Sequence, residues 1–393
     1  MFANSGKTHD VPIMWGGPAS AFSAKVRSYL IKRGVKYQEI FSNQPRFSDE
    51  IMPAIGYFVV PVMELEDGTL IQDSKDVIAH FEKAYPDDRL TPETPVLKAL
   101  DGLLGFFCTE TFFAPGMHYR WNYMDRQRDY VLAIFGNFMS AVRDKEQQAA
   151  EVAPAMEYFS GFLPDLGVRP ETLETIEESF EAWLKVLDAH LFQHPYIMGG
   201  RPGLADFGAM TWLYAHIARD PYSSDLMKRI SPHVFRWTER MHNQGIIDGE
   251  FPDVAPEYAA DDTPPKTLLP VLEFLFSDCA PETIATIDIF NKWLDANPDL
   301  PSGAEINRTR TAPSSGHPRL GEITFEQRGT TFRRQGLASA VYHYQCMKDV
   351  IESLPADGRA KFDALINSVG GESFLKAQPA RRIKYENYRY FLA

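Results

Sequence analysis

The stretch "GGPASAFSAKVRSYL", Gly16 to Leu30, sets a glycine pair, a proline and a serine directly before an amphipathic run. Phe22, Val26, Tyr29 and Leu30 recur at helical spacing, and Ser20 stands where a helix cap belongs. Upstream, "VPIMW" (11–15) reads as a short buried strand stopped by the glycines. Downstream, Lys32, Arg33 and Gly34 supply the basic last turn and glycine that end a helix. The unit is strand, loop, helix, with Ser20 at the junction, where unpaired backbone N–H groups and the helix dipole favour an anion. Local chemistry leaves two readings of Ser20 open, a cap alone or a hydroxyl aimed at something bound there, and Ser23 competes for either role.

The chain continues in the same small units. "KYQEIF" (36–41) is a second strand candidate, and "YFVVPVMEL" (57–65) is strand-like but interrupted by Pro61, which removes a ladder donor. After the turn at "EDG", "TLI" pairs back, and "DSKDVIAHFEKAYP" starts a helix capped by Asp73 or Ser74. Residues 11–84 therefore spell β-α-β, a connection, then β-β-α, about one small domain. The polar, proline-rich "YPDDRLTPETP" (85–95) reads as a linker. Beyond it the period becomes helical, with helices expected near 96–114, 120–147, 171–194, 203–219 and 224–243, so 96–243 forms a second, all-helical domain. Residues 244–393 are an extension expected to be mostly helical, with "SGAEINRTRTAPSSGHP" flexible and "GEITFEQRGTTFRR" a hairpin turning at Arg328-Gly329. The basic, tyrosine-rich end "RRIKYENYRYFLA" is expected to pack back over the helical body.

Composition excludes some classes. The 393 residues carry 40 Lys and Arg against 53 Asp and Glu, a net charge of −13, which argues against an extended nucleic-acid surface. Three scattered cysteines form no metal spacing and fit a reducing compartment. His190 and His194 lack a third ligand, so no metal site is expected. "MFANSGKTHD" lacks a leader's apolar run, and no apolar stretch reaches the roughly 20 residues of a membrane helix. A cytoplasmic protein without membrane partners is expected.

Four separated motifs, "GGPASAFSAKVR", "VVPVMELEDG", "IQDSKDVIAHFE" and "YIMGGRPGLADFGAMTWL", resemble in order and spacing the soluble glutathione transferase superfamily, over about 230 of the 393 residues. The resemblance implies an α/β plus all-α fold: a thioredoxin-like domain at 11–84, a transferase-like helical domain at 96–243, and the extension, which it does not cover. It implies glutathione as co-substrate and a serine-type mechanism, in which the Ser20 hydroxyl donates a hydrogen bond to the thiol sulfur without itself attacking anything; Ser23 is the alternative donor. Pro61 would be cis, exposing the backbone of Val60 to the cysteinyl part of the tripeptide. Ser74 would hold the γ-glutamyl carboxylate and Asp73 the α-amine, with help from Gln72. Arg46 and Gln44 are candidates for the glycyl carboxylate without a secure match. Asp206, three residues after Gly203, matches the family's N-capping pattern with glycine replacing the usual Ser or Thr, and is read as structural.

For the electrophile, the aromatic run "FFAPGMHYRWNYMDR" offers Tyr119, Trp121 and Tyr123 as lining and Arg120 as a partner for an acidic group. A small-molecule electrophile, aromatic in one version, and a homodimer complete the expectation. The competing accounts are glutathione-dependent ether cleavage or dehalogenation, and a non-enzymatic interaction module using the long extension.

Overall fold

A computed structural model describes residues 3–306, 318–386 and 388–393. The first unit is a four-stranded sheet in the order β2-β1-β3-β4. Strand β1 (Ile13–Gly16) is entirely buried and leads through the Ser20 loop into α1 (Ala21–Arg33). That helix ends at Gly34, whose φ of 70° is the left-handed conformation of a glycine C-cap. It crosses to β2 (Gln38–Phe41), parallel to β1, as a parallel pair requires. A one-turn helix α2 (Met52–Ile55) precedes β3 (Val62–Glu64), antiparallel to β1, and β4 (Leu70–Gln72), antiparallel to β3. Alternation places Met14, Met63 and Ile71 in the large core shared with the helices, and Ile13, Trp15, Val62 and Leu70 in a separate core on the other face. Helix α3 (Ser74–Glu82) closes this thioredoxin-like β-α-β, β-β-α unit.

A helical layer follows. Helix α4 (Pro95–Glu110) runs through the core and is crossed by α9 (Leu204–Trp212), with α8 (Leu173–Leu191) and its stripe of Ile176, Phe180, Trp183, Leu184 and Leu187 packed nearby. The helix expected over 120–147 is the shorter α6 (Met124–Met139), and before it, across a break at Asn122-Tyr123, lies a further helix α5 (Phe113–Trp121) between the two expected at 96–114 and 120–147. Helix α7 (Lys145–Ser160) was not anticipated; Pro154 sits inside it and its apolar face is thin. The span 224–243 divides at Pro232 into α10 (Pro221–Ile230) and α11 (Pro232–Arg240), because the proline cannot supply the next helical N–H.

The extension is mixed helix and strand, with helix predominating as expected and one hairpin more than the sequence announced. Helices α12 (Leu269–Phe274) and α13 (Ala280–Asp295) are joined by a π turn. Arg328 and Gly329 both adopt positive φ, 51° and 79°, which suits a tight hairpin between β5 (Arg319–Gln327) and β6 (Thr330–Leu337). Then come α14 (Ala338–Glu352), α15 (Ala356–Ser368) and α16 (Glu372–Lys376). The tail forms a second hairpin, β7 (Ile383–Glu386) with β8 (Arg389–Leu392). Its Tyr388 hydroxyl donates to the Leu70 carbonyl on the edge strand β4 at 3.0 Å and accepts from the Ala3 N–H at 3.3 Å. Most of the segment expected to be flexible, residues 307–317, lies outside the described residues. Among the described residues no helix is long and apolar enough to cross a membrane.

Candidate functional site

Ser20 is the N-cap of α1, its Oγ accepting the Ser23 N–H at 3.2 Å. The same hydroxyl lies 3.4 Å from the Val60 carbonyl oxygen, to which it donates, and the Val60–Pro61 peptide is cis. The fold thus brings Ser20 and Val60 together across 40 positions of sequence. The Ser23 hydroxyl is fully buried and has no hydrogen-bond partner, whereas that of Ser20 is engaged at this corner.

Three arginines fix the loop before Ser20. Arg27 donates to the Gly17 carbonyl at 3.3 Å, Arg219 to Pro18 at 2.6 Å and Arg120 to Ala19 at 2.8 Å. A Cβ on Gly17 would fall 2.0 Å from the Phe138 ring, so only glycine permits α6 to lie this close. Sequence reading missed the clamp: nothing in the local pattern of Arg27 or Arg219 points to this loop. It assigned Arg120 to an incoming acid, whereas the structure commits that guanidinium to Asp220 at 2.7 and 2.9 Å and to the carbonyls of Ala19 and Ala215.

The aromatic run divides. Trp121 packs on Phe135 in an apolar cluster that also holds Ala19 and Phe138, with Val60 at its margin. Tyr119 and Tyr123 face elsewhere: Tyr123 stacks on Tyr222 with centroids 3.6 Å apart and donates to Glu177, and Tyr119 packs on Phe180.

The third corner is the start of α3. Asp73 caps it, one oxygen accepting the Lys75 N–H at 2.9 Å, and holds a φ of 83° that a residue with a Cβ rarely adopts. Ser74 is buried, and Gln72 accepts from the Tyr385 hydroxyl and, at 3.3 Å, from that of Tyr57. The other Asp73 oxygen meets His343 Nε2 at 3.3 Å, and His343 Nδ1 lies 2.8 Å from Glu110. Burial alone would lower the His343 pKa, but Glu110 and Asp73 outweigh it and raise it to about 10. For both carboxyls burial works upward and is overcome, chiefly by His343, so both lie below their ordinary values.

The sign of the pH effect follows. The stabilisation from a raised imidazole is complete below its unfolded pKa of about 6.5 and is lost as pH rises through the folded value. Unfolding free energy measured by urea titration should therefore fall from pH 6.5 toward pH 10 with a limiting slope of about 1.4 kcal/mol per unit from this group. His343→Gln should flatten that slope; an unchanged slope would refute the assignment. On the acid side, the contribution of Asp73 and Glu110 is present above their unfolded pKa values of about 4 and is lost on acidification through the lowered folded values.

The remaining candidates have structural surroundings. Arg46 pairs with Glu64 at 2.5 Å and Glu50 at 2.8 Å, and Gln44 donates to Asn43. Asp206 accepts from the N–H groups of Ile197 and Gly203, both at 3.0 Å, and from the Trp237 indole at 2.8 Å. The glycine at the cap has a physical reason: a Cβ on Gly203 would lie 2.3 Å from the Asp101 carboxylate, which itself accepts the N–H groups of Leu204 and Ala205 at 2.9 Å. A side chain of α4 caps α9 in place of a local hydroxyl. Among the described residues no group of three or more His, Cys, Asp or Glu is disposed to hold a metal ion.

With this geometry in view, residues 15–89 match the family described as glutathione S-transferase, N-terminal domain, and residues 169–240 match glutathione S-transferase, C-terminal domain. The chain has the glutathione S-transferase fold. The extra C-terminal region lies beyond both transferase matches. No curated protein matches the sequence. Similar solved structures include the β-etherase LigF from Sphingobium sp. strain SYK-6, at 16% identity and a TM-score of 0.40, covering 59% of this chain and 94% of its own. The glutathione S-transferase CsGST63524 of Ceriporiopsis subvermispora, solved in complex with glutathione, is 18% identical with a TM-score of 0.41, covering 63% of this chain and 100% of its own. The glutathione transferase GSTFuA3 from Phanerochaete chrysosporium is 16% identical with a TM-score of 0.39, covering 59% and 96%.

Proposed function

We propose that the Ser20–Val60 corner receives the cysteinyl part of glutathione and that the protein is a serine-type transferase. The observation that carries this is the meeting of the α1 cap hydroxyl with the backbone at cis-Pro61. In this reading the Ser20 hydroxyl turns from the Val60 carbonyl to the ligand sulfur while continuing to accept the Ser23 N–H. Its hydrogen bond and the positive end of α1 favour the thiolate. The thiol proton leaves to solvent, the sulfur forms a bond to an electrophilic carbon, and the leaving group departs with its electron pair. Val60 pairs its backbone with the cysteinyl unit beside Pro61, and Gln72, Asp73 and Ser74 face the γ-glutamyl end. Trp121 and its apolar neighbours supply the nearest surface for an aromatic electrophile. Ether cleavage and dehalogenation share the activation step and are separated by product analysis. The family resemblance also carries a cytoplasmic homodimer, tested by fractionation and sedimentation.

Calorimetry with glutathione and a conjugation panel test the proposal. Removing a hydrogen bond to a charged sulfur is worth about 1.5–3 kcal/mol, so Ser20→Ala should slow conjugation roughly 10- to 150-fold. An undiminished rate would overturn the role of Ser20. The second reading, a non-enzymatic interaction module, is favoured by the engagement of Asp73 and Gln72 with the extension; it predicts no binding at millimolar glutathione.

A further inference from the structure

We infer that His343 is a resident cation of the ligand site, holding the place between Asp73 and Glu110 that a ligand's ammonium group must take over. The inference rests on reading Ser20 and Val60 as the thiol end of the same site. It assigns to the extension a direct part in ligand selection.

The carboxylate proposed to meet a ligand amine already has an ion-pair partner from α14, at 3.3 Å, and that partner is shared with Glu110 at 2.8 Å. The neighbouring Gln72 is likewise taken by Tyr385, and the Lys75 ammonium sits 5.5 Å from the centre of the Tyr342 ring. The extension thus covers this end of the site with three side chains from two of its elements. Two carboxylates, one imidazolium and the buried Lys25, which donates to Thr109 at 3.2 Å, make a charged cluster in which both carboxylates call for a cationic partner.

Helix α14 itself is firmly held. Tyr344 donates to the carbonyls of Phe374 at 2.7 Å and Ala377 at 2.9 Å, Gln345 exchanges two hydrogen bonds with Ile383, and Lys348 donates to Leu375 at 2.7 Å. Tyr344, Met347 and Ile351 belong to the same hydrophobic core as α4. Exchange therefore occurs by rotation of the His343 and Tyr385 side chains, which lie at the partly open margin, with the helix in place. A thiol bearing an ammonium at its far end can replace the imidazolium without leaving Asp73 and Glu110 unpaired. A thiol whose amine is blocked cannot.

The test uses the full chain, with calorimetric titration of glutathione and of N-acetylglutathione into wild type, His343→Gln and His343→Lys. An occupied site lowers apparent affinity by the fraction that is open. His343→Gln should therefore bind glutathione about tenfold or more tightly than wild type, while affinity for the N-acetyl form changes less than about threefold. His343→Lys, which restores a cation, should return to the wild-type value. Tyr385→Phe serves as a milder second variant if His343→Gln does not fold, and should tighten glutathione binding in the same direction. Measurable wild-type binding that His343→Gln leaves unchanged or weakens would overturn this inference alone. No glutathione binding by wild type or by any folded variant would overturn the thiol-site reading, and this inference with it.

Discussion

Arg120→Met is expected to lower the unfolding free energy by about 3–5 kcal/mol, the usual consequence of leaving one partner of a buried ion pair alone. Arg120 is 1% exposed and Asp220 fully buried. The guanidinium makes a two-pronged contact with that carboxylate, at 2.7 and 2.9 Å, and donates to two backbone carbonyls. Burial already pushes the Asp220 pKa up, with Arg120 the main force opposing it. Without the arginine Asp220 should take up a proton, so the loss should be larger at pH 8 than at pH 5. Denaturant titrations at the two pH values measure this, and Arg120→Met/Asp220→Leu should recover a large part of the stability. A loss under about 1 kcal/mol at both pH values would show that the pair is not the anchor described. The same substitution frees the Ala19 carbonyl from Arg120, so the Ser20 loop should loosen and, under the proposed activity, conjugation should fall at temperatures where the variant is still folded.

Asp206→Ala should be comparably damaging. It removes one carboxylate and strands three donors, the N–H groups of Ile197 and Gly203 and the Trp237 indole. Each stranded buried donor costs about 1–3 kcal/mol, and partial relaxation brings the expected total to about 3–5 kcal/mol. Thermal or urea unfolding checks the magnitude. Asp206→Asn should lie between wild type and alanine, since one acceptor oxygen remains while the new amide N–H confronts a donor. An alanine variant as stable as wild type would mean that other groups satisfy all three donors.

What the sequence revealed was local or periodic. The strand-loop-helix at Ser20 and the cap at Asp73 each carry their signal within about ten residues and stand where expected, whereas the strand read over 57–65 begins only after the cis Pro61, at Val62. The Arg328-Gly329 hairpin was visible for the same reason. Helix α7 escaped because a proline at 154 reads as a helix breaker and its buried side is limited to Val152 and Met156. The tail hairpin escaped because its register is fixed through packing on α14, with Gln345 bonded to Ile383 in both directions. The arginine clamp and His343 were out of reach for a more general reason. Arg120 lies 101 positions from the carbonyl it holds, and His343 lies 270 from Asp73. Neither residue differs, in its own neighbourhood, from any arginine or histidine on a helix. The aromatic run shows the limit plainly: composition marked it as a lining, but rotation about α5 sends Trp121 into the cluster with Ala19 and Phe135 and Tyr119 toward Phe180.

The bond from Tyr388 to Leu70 has a consequence in time. A ribosome adding roughly 5–20 residues per second needs roughly 15–60 s to travel the 318 positions between the two. Throughout that interval the Leu70 carbonyl and the carboxylate of Asp73 wait without the tail groups that later cover them. Tyr388 also completes the apolar cluster of Ile13, Trp15, Val62 and Leu70, and transiently exposed apolar surface promotes association, so nascent chains stalled before the tail hairpin emerges should be the aggregation-prone population during translation.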